Sequence, residues 1–168
     1  MRAVGRLIYR IVPARDSSNA NRPVIASRKQ TWRALVPMMP MIEYEKAAPA
    51  VKAIYDDIMA TRNSNWINNF WKVLANHPAT LRRMWETAKQ VMAPGKLDPL
   101  TKEMIYIAVS VTNNCEYCIH SHTAGARAKG MTDEQFAELL AVVGVANETN
   151  RLANGYQVPV DVQFRPGA

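Results

Sequence analysis

The chain has 168 residues, 48% of them hydrophobic, which fits one domain able to bury its own core. Its net charge of +7 comes from the first forty residues, which hold eight basic residues and one acidic residue, whereas residues 41–168 hold thirteen of each. This balanced body argues against a nucleic-acid-binding face, and the lack of an apolar run of about eighteen residues argues against a membrane span.

Residues 1–40 are predicted to be a basic, disordered extension that precedes a folded domain over residues 41–168. They mix arginine, serine, asparagine and proline, and their one periodic piece ends at Pro13. An arginine-rich start is also typical of organelle presequences and of arms that bind membrane surfaces. The domain is expected to be cytoplasmic, because two cysteines three positions apart suit a reducing compartment better than a disulfide framework.

Apolar residues from Glu43 onward repeat at the three- and four-residue spacing of helices, so the body is predicted to be all-α. The first helix is predicted over residues 49–62, with Pro49 in its first turn. A shorter second helix follows, and Pro78 is predicted to start a third. The third helix is expected to turn five residues inward: Leu81, Met84, Trp85, Ala88 and Val91.

Four aromatic residues recur at helical spacing in the second and third helices: Trp66, Phe70, Trp71 and Trp85. They are expected to be core or subunit interface, because aromatic side chains at such spacing usually bury their surface. The second interpretation is an apolar approach for an organic substrate.

The next two helices are predicted from their caps. Asp98 is expected to cap a largely apolar and therefore central helix that Pro99 opens. The asparagine pair at residues 113–114 is expected to cap the following helix. That helix runs through both cysteines and stops near Gly130.

The last helix is predicted from the sequence TDEQ at residues 132–135, which has the form of a capping box. Gly144 is expected to divide this helix in two. The C-terminal stretch after it contains proline and glycine and is expected to be irregular, with the possibility of wrapping a neighbouring subunit.

Both cysteines and two of the three histidines lie within NNCEYCIHSH, residues 113–122. A haem tether needs C-x-x-C-H, and Ile119 puts His120 one position too late. Structural zinc usually has four ligands, and a second close pair is missing. A purely structural interpretation is that small cysteines fill a helix contact beside a core histidine.

Helical geometry favours redox chemistry for this stretch. At about 100° per residue, Cys115, Cys118 and His122 lie within about 60° of one another, whereas His120 lies on the opposite side. Sulfurs one turn apart can form a disulfide, and a helix N-terminus favours a thiolate. An imidazole one turn later can take the thiol proton and is expected to lower the pKa of Cys118.

Glu103 lies at the edge of the inward arc of its own helix. A carboxylate that leans toward a core needs a partner or a raised pKa. The structural interpretation is that Glu103 is a surface acid that pairs with a basic side chain. The functional interpretation is a proton acceptor, or a group that orients the imidazole at the dithiol.

Glu103, eleven residues, the Cys115 to Cys118 pair, three residues and His122 together give the pattern E-x11-C-x-x-C-x3-H. This pattern resembles the signature of AhpD-like alkylhydroperoxidases, small peroxidase-related members of the carboxymuconolactone decarboxylase superfamily. The resemblance extends loosely over residues 42–168. It implies an AhpD-like helical bundle with the C-x-x-C at the N-terminus of a central helix, assembled as a homo-oligomer, often a trimer or hexamer.

The resemblance also implies a dithiol that reduces hydroperoxides without metal, haem or other cofactor. The resulting disulfide would be reduced by an external dithiol donor protein of the lipoyl or thioredoxin type. Carried over by position, Cys118 attacks the peroxide, Cys115 resolves the product, and His122 with Glu103 forms the proton relay. The best-known members have a histidine between the cysteines where this chain has Tyr117, so the relay is one group shorter.

Two other functions remain open from the sequence. One is a dithiol carrier or sensor that exchanges disulfides with a protein partner and hardly reacts with peroxide. The other is a structural module whose thiols bind zinc.

Overall fold

A computed structural model describes residues 36–167 of the chain. Within that part, six α-helices and no β-strand are present, so the all-α prediction is confirmed. The helices are α1 (Pro49–Arg62), α2 (Asn69–Leu74), α3 (Pro78–Met92), α4 (Pro99–Thr112), α5 (Glu116–Ala128) and α6 (Asp133–Gly155). The predicted basic extension lies mostly outside the described residues and stays a prediction.

The helices begin where local sequence chemistry predicts. Helices α1, α3 and α4 each start at a proline, whose fixed φ suits the first helical turn. Asp98 caps α4 by accepting a hydrogen bond from the backbone N–H of Thr101 at 3.0 Å. The predicted capping box at the start of α6 is present, because Thr132 and Gln135 each accept the other's backbone N–H.

Three local predictions were wrong. Gly144 does not divide the last segment, since α6 continues through it to Gly155. Val91 is 60% exposed because it lies on the last turn of α3, beyond the packed face. The asparagine pair at residues 113–114 ends α4, whereas Cys115 occupies the N-cap position of α5.

The main hydrophobic core lies among the first three helices. Helix α3 packs against α1 and α2, and Leu81, Ile58 and Tyr55 are fully buried between them. Trp71 and Trp85 meet edge to face with ring centroids 5.5 Å apart, as expected for core aromatics. By contrast, Trp66 is 59% exposed and Phe70 is 41% exposed, so the aromatic set is only half core.

A second, smaller core lies among the last three helices. Helix α4 packs against α5 and α6 around Ile107, Ala126 and Met131. The predicted central position of α4 is only partly met within one chain, because Ile105 and Val109 remain about half exposed. Nothing in residues 36–167 forms a helix both long and apolar enough to cross a bilayer.

Candidate active site

The turn between α4 and α5 fixes where the cysteines lie. Asn114 adopts a left-handed conformation with φ of 55°, which asparagine tolerates better than most residues. The N–H of Asn114 donates to the carbonyl of Val111, and the N–H of Cys115 donates to that of Ser110. This pair of bonds is a Schellman motif, which ends α4 and places Cys115 directly at the start of α5.

Cys115 and Cys118 are both free thiols and both half-buried. The expectation that His122 lowers the pKa of Cys118 was wrong: that pKa is raised to about 11. Burial is the largest cause, followed by the hydrogen bond with Cys115 and the charge of that neighbouring sulfur. The Cys118 thiol therefore keeps its proton at neutral pH.

Glu103 and His122 form the central contact of the site. Nδ1 of His122 lies 2.6 Å from Oε2 of Glu103, and the Glu103 side chain is 10% exposed. A carboxylate only accepts hydrogen bonds, so Nδ1 carries the proton and donates it. In the neutral imidazole, Nε2 is then left as a proton acceptor. Glu103 thus fixes the tautomer that a general base requires.

Lys129 is a second partner of Glu103 that the sequence analysis missed. Its Nζ donates to Oε1 of Glu103 at 2.9 Å. Burial is the largest single influence on the pKa of Glu103 and raises it, but the hydrogen bonds and charges of His122 and Lys129 together outweigh burial and lower it. Glu103 therefore contacts the imidazole and pairs with a basic side chain, but it is buried rather than the surface acid of the alternative interpretation. Its role in proton transfer stays a prediction.

Gly125 gives the Glu103 carboxylate its space. It lies in α5, and a β-carbon built on it would be 3.0 Å from Oε1 and 3.1 Å from the carboxylate carbon of Glu103. Such contacts are tighter than most that real β-carbons make, so the carboxylate would have to shift by a few tenths of an ångström. The glycine therefore allows α5 to approach the charged group of α4 closely.

Tyr106 covers one face of the His122 imidazole. Its ring stacks on that of His122 with centroids 3.6 Å apart and an interplanar angle of 17°. Burial is the main cause that raises the pKa of Tyr106, and the charges of Cys118, Cys115 and Glu103 add to it. The charges of three predicted site residues, Cys115, Cys118 and Glu103, therefore all act on the Tyr106 hydroxyl.

Tyr117, between the two cysteines, faces another helix. Its hydroxyl accepts a hydrogen bond from the backbone N–H of Phe70 at 3.2 Å, and the two rings lie 6.2 Å apart. His120 is exposed, whereas His122 is half-buried, in agreement with their opposite positions on the helical wheel. Across residues 36–167, no group of three or more His, Cys, Asp or Glu side chains is arranged to hold a metal ion.

Fold and site together define a small all-α protein that carries a C-x-x-C pair beside a hydrogen-bonded Glu–His pair. Residues 78–161 match the model of the family described as "Carboxymuconolactone decarboxylase family". The chain belongs to that family, within its AhpD-like branch.

A solved structure supports this assignment. The crystal structure of an alkylhydroperoxidase AhpD core from Rhodospirillum rubrum is 53% identical to this chain, with a TM-score of 0.74. The match covers 77% of this chain and 97% of that one.

Curated relatives match over shorter stretches. The "Uncharacterized protein 4 in cox locus" of Paracoccus denitrificans is 44% identical over 55 residues, which are 33% of this chain and 50% of that protein. The "Alkyl hydroperoxide reductase AhpD" of Solibacter usitatus is 34% identical over 84 residues, which are 50% of this chain and 42% of that protein. The chain spans about half the length of the curated relatives it matches.

The contact of Gly125 with Glu103 predicts opposite effects for two glycine-to-alanine changes within helices. Gly144→Ala, where nothing lies within 4 Å, should raise the free energy of unfolding by about 0.5–1 kcal/mol. Gly125→Ala should not stabilise, because its β-carbon presses on the Glu103 carboxylate. It should also shift the ¹⁵N NMR signals of the His122 ring, while Gly144→Ala leaves them in place. Equal stabilisation by both changes, with unchanged ring signals, would contradict the described packing.

The two sulfurs predict a pH effect. In Cys115→Ser, the pKa of Cys118 should fall below its value of about 11 because the neighbouring sulfur's hydrogen bond and charge are gone, while burial still keeps it raised. At a fixed pH below 11, more of Cys118 is then thiolate. Alkylation by iodoacetamide, followed by mass spectrometry across pH 7–11, should be faster in the variant. An unchanged pH profile would rule out coupling between the two sulfurs.

Proposed function

We propose that the chain reduces hydroperoxides through a dithiol–disulfide cycle of Cys115 and Cys118. The observation that carries this proposal is the contact between His122 and the buried, ionised Glu103. His122 lies on α5, the helix that begins at the cysteines. It supplies a proton acceptor with a fixed tautomer one helical turn from Cys118. The peroxidase-related names of two relatives agree with this function.

The first step oxidises Cys118. His122 takes the thiol proton through Nε2, and the resulting thiolate attacks the distal oxygen of the hydroperoxide. The S–O bond forms as the O–O bond breaks, and the leaving alkoxide takes a proton from the imidazolium to give an alcohol. Cys118 is left as a sulfenic acid. Glu103 stabilises the imidazolium that exists between the two proton transfers.

The second step closes the disulfide. The sulfur of Cys115 attacks the sulfenic sulfur of Cys118, and water leaves. An external dithiol of the lipoyl or thioredoxin type then returns two electrons and two protons to the pair. The cycle needs no metal and no bound cofactor. We place it in a reducing compartment such as the cytoplasm, where such free thiols persist.

A dithiol carrier is the second candidate function, and one observation favours it. The raised pKa of Cys118 keeps this thiol protonated at neutral pH, which slows direct attack on small peroxides. Exchange with a protein disulfide tolerates this better, since docking holds the partner's sulfur in place. The two functions differ in whether a sulfenic acid forms.

We also propose that the protein is a homo-oligomer, with a trimer or hexamer as the expected size. Alternate side chains of the C-terminal segment, residues 156–164, are 58–79% exposed although all are apolar: Tyr156, Val158, Val160, Val162 and Phe164. Exposed apolar surface of this extent usually marks a protein contact. The half-exposed Ile105 and Val109 of α4 add further apolar surface.

Trapping of the sulfenic acid tests the proposed cysteine roles. A stoichiometric pulse of cumene hydroperoxide should make Cys118 of the Cys115→Ser variant react with a dimedone probe, because no resolving sulfur remains. Cys118→Ser should not be labelled and should have lost turnover. Mass spectrometry of the labelled peptide identifies the residue. The double variant that combines Cys115→Ser with Glu103→Gln should be labelled more slowly than Cys115→Ser alone.

Three other outcomes of this experiment are informative. Labelling only in Cys118→Ser would exchange the two roles. Labelling in neither variant, together with fast disulfide exchange, would favour the carrier. Bound zinc in stoichiometric amount, with thiols that react only after chelation, would favour the structural module.

The solution mass tests the oligomer. Light scattering should give a multiple of the 18.8 kDa chain mass, and Val160→Glu combined with Val162→Glu should lower it by charging the contact. Leu97→Glu is the matched control, since Leu97 is also 50% exposed but lies outside the segment. A mass of one chain in the unmodified protein, or an equal effect of Leu97→Glu, would contradict the proposed contact.

A further inference from the structure

Arg62, at the end of α1, lies over a pair of tryptophan rings. Its guanidinium carbon lies 5.6 Å from the ring centroid of Trp71 and 5.6 Å from that of Trp85. Cation–π attraction to both rings fixes the position of the charge. One nitrogen, Nη1, donates a hydrogen bond to the side-chain oxygen of Asn68.

The charge of Arg62 is not neutralised by a neighbour in the described part of the chain. Among residues 36–167, no Asp or Glu oxygen lies within ion-pair distance of it, and Asn68 is its one hydrogen-bond acceptor. Arg62 is exposed as a residue, so ligands can reach its remaining donors. Partial burial of the guanidinium lowers its pKa, against the raising effects of Tyr117 and Glu103. A guanidinium with spare donors in such surroundings is suited to binding an anion in a two-pronged hydrogen bond.

The surroundings of Arg62 connect it to the cysteine end of α5. The two groups whose charges act on it are Tyr117, between the cysteines, and Glu103 of the proton relay. Phe70 continues this connection, because its backbone donates to the Tyr117 hydroxyl and its ring lies 6.2 Å from the Tyr117 ring. A chain of contacts through Trp71 and Phe70 therefore connects Arg62 to Tyr117, the residue between Cys115 and Cys118.

Exposed aromatic side chains follow Arg62 in the chain, and one of them, Phe70, meets Trp71 edge to face with ring centroids 4.9 Å apart. Trp66 is 59% exposed and Phe70 is 41% exposed, and both lie in the short stretch of chain that runs from Arg62 into α2. A ligand that suits a cation flanked by such rings has a negative group and an apolar chain.

We propose that Arg62 binds the carboxylate of an organic hydroperoxide whose apolar chain lies against Trp66 and Phe70. This substrate class rests on the proposed peroxidase function. The carboxylate anchors the molecule at Arg62, and the chain spans toward Cys118, where the O–O bond is broken as described above. Neutral peroxides lack the anchor and react more slowly.

Binding of an unreactive probe tests the anchor without any turnover. Octanoate and octanol have the same chain length and differ in charge, and quenching of tryptophan fluorescence reports binding because Arg62 lies over Trp71 and Trp85. The unmodified reduced protein should bind octanoate at least about tenfold more tightly than octanol. Equal affinities would overturn the proposal, whatever the fate of the peroxidase function.

Arg62→Gln should remove the preference for octanoate, by about tenfold in affinity. Arg127→Gln is the matched control, since Arg127 also lies over an aromatic ring, that of Phe136, but is already paired with Asp133 at 2.6 Å. Circular dichroism checks that each variant is folded. Unchanged octanoate binding in folded Arg62→Gln, or equal loss in both variants, would overturn the proposal.

A single-turnover experiment tests whether the carboxylate also speeds the reaction with peroxide. Loss of thiols in the absence of any reductant should be at least about tenfold faster with a carboxylate-bearing alkyl hydroperoxide than with its neutral amide, and Arg62→Gln should abolish the difference. Thiols that survive both peroxides would instead argue against the peroxidase function. The fluorescence result then still decides whether Arg62 is a carboxylate site.

Discussion

The hydrogen bond between Glu103 and His122 is the interaction on which the rest of the site depends. It joins a carboxylate of α4 that is 10% exposed to an imidazole of α5 at 2.6 Å. A buried carboxylate without partners is costly, so this contact and the bond from Lys129 hold the two helices in one register. Gly125 makes that register sterically possible. The same contacts that satisfy a buried charge therefore also orient the imidazole that we propose as the general base.

The sulfurs are governed by a different balance. The Schellman turn at Asn114 places Cys115 at the helix start, where the helix dipole favours a thiolate. Burial and the adjacent sulfur act in the opposite direction and raise the pKa of Cys118. Cys118 therefore keeps its proton until an acceptor removes it. In the proposed cycle, His122 therefore acts during the reaction and does not lower the resting pKa of Cys118.

The sequence predicted the features that depend on local chemistry. Helix starts at proline, the capping box and the E-x11-C-x-x-C-x3-H spacing are all short-range signals, and the helical wheel correctly separated His122 from His120. Lys129 was within reach of the same method, since it lies two turns beyond His122 on one face of α5.

Other features depend on how two elements pack, and no local pattern encodes that. The stacking of Tyr106 on His122 joins α4 to α5. The cation–π contacts of Arg62 with Trp71 and Trp85 join α1 to α2 and α3. The exposure of Val91 and the continuity of α6 through Gly144 likewise follow from tertiary packing, which overrides local propensity.

The most direct measurement is a count of thiols by mass spectrometry on the reduced, metal-free protein before and after a stoichiometric pulse of an organic hydroperoxide. A peroxidase cycle predicts the loss of two hydrogens between Cys115 and Cys118 within seconds, and full reversal when dihydrolipoamide is added. Survival of both thiols after the pulse would contradict the proposed function.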